Sequence, residues 1–340
     1  MSSRRVVRAV TALAVVAGCV WGLGSSAGAT HANPNDDIYA FGDAAYYGST
    51  GGQSLNSSLV GMAQTADGGG YWLLGQDGGV FSYGHAKFYG STGNIRLAKP
   101  VVGMAATPSG RGYWFVAADG GIFSYGDAHF YGSTGNLALA KPIVGMAATP
   151  TGRGYWLVAA DGGIFAFGDA TFRGSTGNIA LHQPVVGMAA TPSGRGYWFV
   201  ASDGGIFAFG DAKFSGSTGA IALAQPITGM AATPTGSGYW LVARDGGIFA
   251  FGHASFHGSM GATPLGAKHV VGIARTQSGK GYWMVASGIV GPPPPPPPSP
   301  PPTQPPSGPR TSFGDGTYRP GTDIAIARYH NSASAGCYWE

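Results

Sequence analysis

The chain has 340 residues, and glycine (61) with proline (24) makes up a quarter of it. That level is usual in low-complexity disorder, but here the glycines are periodic and 13 of the prolines sit in one segment near the C-terminus. Charged residues are only 10%, and Glu340, the last residue, is the single glutamate, which excludes an enzyme built on a glutamate pair. The formal charge of +4 falls close to neutrality once Arg4, Arg5 and Arg8 are set aside with the N-terminal leader. No basic face of the kind that nucleic-acid binding requires is left, and two cysteines cannot staple a disulfide scaffold.

Residues 1–29 read as a signal peptide: Arg4, Arg5 and Arg8, an apolar run from Ala9 to Leu23, then the small residues Ser25-Ser26-Ala27-Gly28-Ala29 as a cleavage site. The run is shorter than the ~20 residues of a membrane-spanning helix, and no later segment is a better candidate. The expectation is a secreted, extracellular protein with no transmembrane segment. Val16-Ala17-Gly18-Cys19 has the form of a lipobox, which makes Cys19 a candidate lipidation site and cell-surface attachment an option. Ser3-Arg4-Arg5 leaves twin-arginine export open beside the general route.

From residue 38 onward one 42-residue unit repeats six times. Phe41, Tyr83, Tyr125, Phe167, Phe209 and Phe251 open the same aromatic-Gly-Asp/His-Ala element at intervals of 42. Trp72, Trp114, Trp156, Trp198, Trp240 and Trp283 mark a Gly-Tyr-Trp element that runs in parallel, with one residue inserted before the last. Within a unit, four strands are predicted, for example over 143–149, 155–160, 163–168 and 170–174. The second, Tyr155 to Ala160, is apolar on both faces and should be buried on both. Asp161-Gly162-Gly163 forms a tight hairpin turn that needs positive φ. In the fourth, Phe172 is fixed between variable neighbours, as in a half-exposed strand.

Four strands and about 40 residues per unit match a β-propeller blade. The chain opens with third- and fourth-strand elements (38–42 and 45–48) and ends with first- and second-strand elements (270–276 and 282–286), so two half-units can share one blade. The expected fold is all-β: a six-bladed β-propeller of four-stranded 42-residue repeats over residues 30–290. An open β-solenoid is the alternative, and it would not need complementary ends.

The unit, with G-Y-W-[LF]-V-A-[AS]-D-G-G-I-F followed by G-D-A, G-S-T-G and G-M-A-A-T-P, resembles the repeats of secreted actinobacterial envelope proteins over residues 38–288. The resemblance implies non-catalytic repeats of the kind found beside a cell-wall hydrolase or other catalytic domain, and this chain carries no recognisable catalytic domain. Residues 291–310 form a proline-rich linker, expected in polyproline II conformation, which at its rise per residue could hold two modules roughly 60 Å apart. Residues 311–340, with Phe313-Gly314-Asp315-Gly316-Thr317-Tyr318 and Gly336-Cys337-Tyr338-Trp339-Glu340, look like the start of a small actinobacterial exported β-module. Where such modules usually have a Pro-Gly turn the chain reads Ala325-Ile326-Ala327-Arg328, and about half the module is missing, so the tail is read as incomplete.

Candidate chemistry is sparse. Asp77, Asp119, Asp161, Asp203 and Asp245 are read as hairpin-turn residues, Asp43, Asp127, Asp169 and Asp211 as acceptors of turn N–H groups, and His85 and His253 as turn histidines at the same position. No metal site, no cofactor and no catalytic residue is expected. What varies between copies is more telling. The fourth-strand pairs Ala45/Tyr47, Lys87/Tyr89, His129/Tyr131, Thr171/Arg173, Lys213/Ser215 and Ser255/His257 should face outward, giving Tyr47, Tyr89, Tyr131, Arg173 and His257 as candidate ligand contacts. The turn between first and second strands carries Arg111, Arg153, Arg195 and Lys280, four cations expected on one face of the disc and suited to phosphate or carboxylate. The functional expectation is a monomeric, extracellular, non-catalytic binding or adhesion module of the cell envelope. Its partner would be a cell-wall glycan, an anionic polymer or a surface protein, and not nucleic acid. A propeller hydrolase or lyase acting on envelope polysaccharide and a purely structural spacer are the alternatives.

Overall fold

Each repeat folds as a three-stranded antiparallel sheet because its three β-rich runs are separated by glycine turns that only glycine makes cheaply. The computed structural model describes residues 29–31, 33 and 36–288. The leader up to residue 28 with Cys19, the linker 291–310 and the tail 311–340 lie outside the described residues.

The chain enters through β1 (Ala29–His31) and β2 (Ile38–Gly42). Five blades follow. They are β3 (Leu59–Gln64), β4 (Gly70–Gly75), β5 (Val80–Gly84); β6 (Val101–Ala106), β7 (Gly112–Ala117), β8 (Ile122–Gly126); β9 (Ile143–Ala148), β10 (Gly154–Ala159), β11 (Ile164–Gly168); β12 (Val185–Ala190), β13 (Gly196–Ala201), β14 (Ile206–Gly210); and β15 (Ile227–Ala232), β16 (Gly238–Ala243), β17 (Ile248–Gly252). The last two strands, β18 (His269–Arg275) and β19 (Gly281–Ser287), pair with the first two in the order β1-β2-β19-β18. Tyr282 is in register with Phe41 and Trp283 with Ala40. The two half-units therefore share one blade, as their complementary sequences require.

The inner strands β3, β6, β9, β12, β15 and β18 adjoin one another in that order, and β18 meets β3. At their centres Gly103, Gly145, Gly187, Gly229 and Gly272 each come so near the next inner strand that a Cβ would lie 3.7 to 3.8 Å from the neighbouring glycine Cα, with Gly272 against Gly61 completing the circle. The ring is thus closed, which excludes the open solenoid and gives a six-bladed β-propeller.

The core is divided among the six blade interfaces, each with its own apolar cluster. On β10, Tyr155, Leu157 and Ala159 pack toward blade two with Trp114 and Ile143, while Trp156 and Val158 pack toward blade four with Tyr197 and Phe199. Every residue of the middle strand is buried for this reason. Each tryptophan ring meets the next blade's tyrosine: Trp72 with Tyr113, Trp114 with Tyr155, Trp156 with Tyr197, Trp198 with Tyr239 and Trp240 with Tyr282, at centroid distances of 5.5 to 5.9 Å. Trp283 against Tyr71 at 5.9 Å closes this circle too.

The expected fourth strand is absent from all five complete blades. Residues 170–174 and their equivalents form an extended tail without ladder partners, because side chains satisfy its backbone instead. Trp156 Nε1 donates to the Thr171 carbonyl at 2.9 Å. The next blade's Tyr197 hydroxyl accepts from Arg173 N at 2.9 Å and donates to the Gly174 carbonyl at 2.7 Å. The same clamp recurs around the ring, ending with Trp283 on Ala45 and Tyr71 on Tyr47 and Gly48. The Ser-Thr-Gly element serves the same seam: Thr176 is buried and its hydroxyl donates to the Asp161 carbonyl in the hairpin turn.

The closing blade adds an ion pair between Lys268 and Asp37 at 3.3 Å, with the Thr50 hydroxyl also donating to Asp37. Removing residues 29–50 takes away β2 together with Asp37 and Thr50 and leaves Lys268 without its ion-pair partner Asp37. The truncated protein should lose cooperative unfolding altogether, read as a flattened urea transition by circular dichroism; an unchanged transition would mean that closure contributes nothing.

Burial raises the clamp tyrosines Tyr71, Tyr113, Tyr155, Tyr197, Tyr239 and Tyr282, the last to about 12. A phenol raised above its unfolded value of about 10 stabilises the fold fully below that pH and loses its contribution as pH climbs toward the folded value. The protein should unfold cooperatively between about pH 10 and 12, followed by near-ultraviolet absorbance of phenolate. Gradual titration of these six rings in a folded protein would contradict the clamp.

Candidate binding surfaces

The first-to-second strand turns all project from one face, and they hold one another. Pro108 packs on Gly152, Pro150 on Gly194, Pro192 on Gly236, Pro234 on Gly279, Gln277 on Gly68 and Ala66 on Gly110. Each receiving glycine has φ between 68° and 70°, a conformation in which a side chain would be strained. Arg111, Arg153, Arg195 and Lys280 stand exposed on these turns, so the four cations share a face as expected.

The charge on that face is partly offset, however, because two of the four cations lie beside the aspartate of a Gly-Asp-Ala element. Arg111 Nε is 3.8 Å from Asp127, and Arg195 Nε is 3.8 Å from Asp211. The aspartates also tie the turn together: Asp169 accepts from the Thr149 hydroxyl at 2.8 Å and from Thr151 at 2.5 Å. Burial works against ionisation of Asp127, but the Ser109 and Thr107 hydroxyls and Arg111 hold its carboxyl below the usual range. Asp211 is lowered chiefly by the Ser193 hydroxyl. Blade one makes the same link with the partners exchanged, His85 Nδ1 facing Asp67 of the turn at 2.8 Å. The hairpin aspartates are engaged as well, each Oδ1 accepting the N–H of the glycine two residues on at 2.8 to 2.9 Å. Among the described residues no three His, Cys, Asp or Glu side chains converge in a metal-binding group.

The fourth-strand expectation is corrected in part. Arg173 is exposed, but Tyr47, Tyr89, Tyr131 and His257 turn inward and are half-buried. The Tyr47, Tyr89 and Tyr131 hydroxyls donate to the Gly68, Gly110 and Gly152 carbonyls of the next blade's turn, and their rings pack on Tyr71, Tyr113 and Tyr155. His257 packs between Trp240 and Tyr282. These residues belong to the blade seam.

The residue that turns outward is the fixed phenylalanine. Phe88, Phe130, Phe172, Phe214 and Phe256 are 57 to 61% exposed, and seven residues beyond the first four of them Ile95, Leu137, Ile179 and Ile221 are 57 to 60% exposed. The clamp causes this. The tryptophan holds the carbonyl of the preceding residue and the next blade's tyrosine holds the N–H of the following one, as on Lys87 and Tyr89, so the side chain between them points away from the ring. Sequence reasoning missed this belt because a repeated phenylalanine reads as core; the sign was its place among variable, polar neighbours.

The turn network and the cations should separate under mutation. Thr149→Val strips hydroxyl bonds from Asp169 and the Gly154 carbonyl and should cost about 1–3 kcal/mol, whereas Arg153→Ser should stay within about 0.5 kcal/mol. Urea midpoints measure both, and equal midpoints would contradict the assigned roles.

No protein-family profile matches the chain, and no curated protein matches it. Among solved structures, a crystal structure of the β-propeller domain of Cps50 (Swd1) from Myceliophteria thermophila is similar at 13% identity, with a TM-score of 0.40, over 58% of this chain and 65% of that one. At that TM-score the likeness adds nothing to the ring closure seen in the chain itself.

Proposed function

We propose that this protein is a non-catalytic binding module of the extracellular envelope, and that its perimeter is the binding surface. The observation that carries the reading is the belt of five phenylalanines, each more than half exposed and each fixed by the same pair of backbone clamps. Exposed apolar patches mark interaction sites on soluble proteins, and here a large aromatic ring is exposed at the same position of five successive tails. Rigid presentation of the rings lowers the entropy lost on binding.

The partner that fits is an envelope polysaccharide. Aromatic rings set among serine, threonine, asparagine and glycine suit the C–H faces and hydroxyls of sugars, and equivalent sites spaced around a ring suit a polymer, since linked weak contacts multiply into avidity. The turn and hairpin carboxylates, engaged in the hydrogen bonds that hold the blades, support a module without turnover. Export through the 1–29 leader is part of the proposal and places the module outside the cell.

Replacing Phe130, Phe172 and Phe214 together by Ser should leave the melting temperature within a few degrees, since exposed substitutions cost about 0.5 kcal/mol or less each. Retention on purified cell-wall polysaccharide should fall at least about tenfold. Loss of retention in an Arg111→Ser, Arg153→Ser, Arg195→Ser variant instead, reversed by nothing but low salt, would move the site to the turn face. Retention unchanged in both would overturn the reading.

A further inference from the structure

The six blade tails are not equivalent: the sixth, Thr263-Pro264-Leu265-Gly266-Ala267, departs from the repeat without amides, and the first departs from the second to fifth in a consistent direction. Where the second to fifth tails read Ile95-Arg96-Leu97-Ala98-Lys99, Leu137-Ala138-Leu139-Ala140-Lys141, Ile179-Ala180-Leu181-His182-Gln183 and Ile221-Ala222-Leu223-Ala224-Gln225, the first reads Gln53-Ser54-Leu55-Asn56-Ser57. An exposed aliphatic side chain and the cations of the second tail are thus replaced by amides and hydroxyls. The leucine at the centre, which packs under the tail, is kept at Leu55.

These substitutions line one groove. A cavity of about 620 Å³ opens between the first tail and the hairpin of blade one, with Gln53, Ser54, Asn56 and Asn94 beside Phe88 at its walls, a volume in the range of small-molecule sites. Its walls are fixed: Ser57 Oγ accepts from Asp77 N at 3.1 Å, Asp77 Oδ1 accepts from Gly79 N at 2.9 Å, and Gln53 N bonds to the Thr50 carbonyl at 2.9 Å. Phe88 is 61% exposed and is held on both sides by the clamp of Trp72 and Tyr113.

We propose that this groove is a saccharide site, selective for a neutral, polyhydroxylated ligand of about two to four sugar units, a size set by the volume of such sites. No Lys, Arg or His lines it, which argues against an anion, and its single carboxylate, Asp77, is already bonded to its own turn, which argues against a cation. Amide side chains both donate and accept, as neighbouring sugar hydroxyls require, and the Phe88 ring offers a flat apolar face to the C–H side of a pyranose. The site rests on the envelope-polysaccharide reading and locates within it a specific, non-repeated point of recognition, where the other perimeter phenylalanines give only repeated weak contact.

The test uses the purified full chain and four neutral tetrasaccharides, of N-acetylglucosamine, mannose, galactose and arabinose, with tetragalacturonate as the charged counterpart, in calorimetric titrations. One neutral tetramer should bind with a Kd below about 1 mM. The variant Gln53→Ile, Ser54→Ala, Asn56→Ala carries residues that the other tails already use and gives up one side-chain contact of Gln53 with Tyr83, so it should melt within a few degrees of the parent and bind at least about tenfold more weakly. Phe88→Ala should do the same, and Phe172→Ala should not. Unchanged binding in the triple variant, or preference for tetragalacturonate, overturns the groove. Equal losses in Phe88→Ala and Phe172→Ala overturn it in favour of the perimeter, leaving the envelope reading intact. Retention on wall polysaccharide without binding of any tetramer also rejects the groove alone, whereas absence of both rejects the two together.

Discussion

The Tyr-Trp pair of each middle strand is the interaction on which the ring depends. The two side chains leave the strand on opposite faces, so each blade grips its own tail with tryptophan and the previous blade's tail with tyrosine. Two buried polar atoms are satisfied in the same act that joins two sheets, and buried polar groups are costly unless paired. The clamp also explains why three-stranded blades suffice: the seam that a fourth strand would cover is closed by a tail whose carbonyls and N–H groups are bound by side chains.

Closure follows from the same pair. A linear array of these sheets would leave one tyrosine and one tryptophan face open at its ends. In the ring Trp283 meets Tyr71, and β2 completes the blade of β18 and β19. The Lys268–Asp37 pair and the Thr50 hydroxyl bond to the Asp37 carboxylate sit at this joint, where the chain has no covalent continuity to hold neighbouring strands in register.

The surface is shaped by what the clamp leaves over. Fixing the carbonyl before and the N–H after a residue forces that residue outward, and in five of the six tails it is phenylalanine. The turn face follows a different logic of charge: its aspartates hold the turn through Ser and Thr hydroxyls, and two of them, Asp127 and Asp211, also offset the neighbouring Arg111 and Arg195.

The amino-acid sequence by itself determined the repeat, the six-fold count, the doubly buried middle strand, the Asp-Gly hairpins and the shared closing blade, because all of these depend on local periodicity and on the complementarity of the two ends. His85 was legible too as a turn residue, since it stands where other blades have aspartate. The direction in which the tail residues point was decided only by the tertiary structure. Tyr89 and Phe88 are adjacent aromatics, and nothing within the unit says which is buried; the hydroxyl of Tyr113 and the indole of Trp72, one from the next blade and one from the same, make that choice. The groove at Gln53 and Asn56 had the same standing: its polar residues are visible as a departure from the repeat, but they come to line one groove only because the folding of blade one sets the first tail beside its hairpin and Phe88.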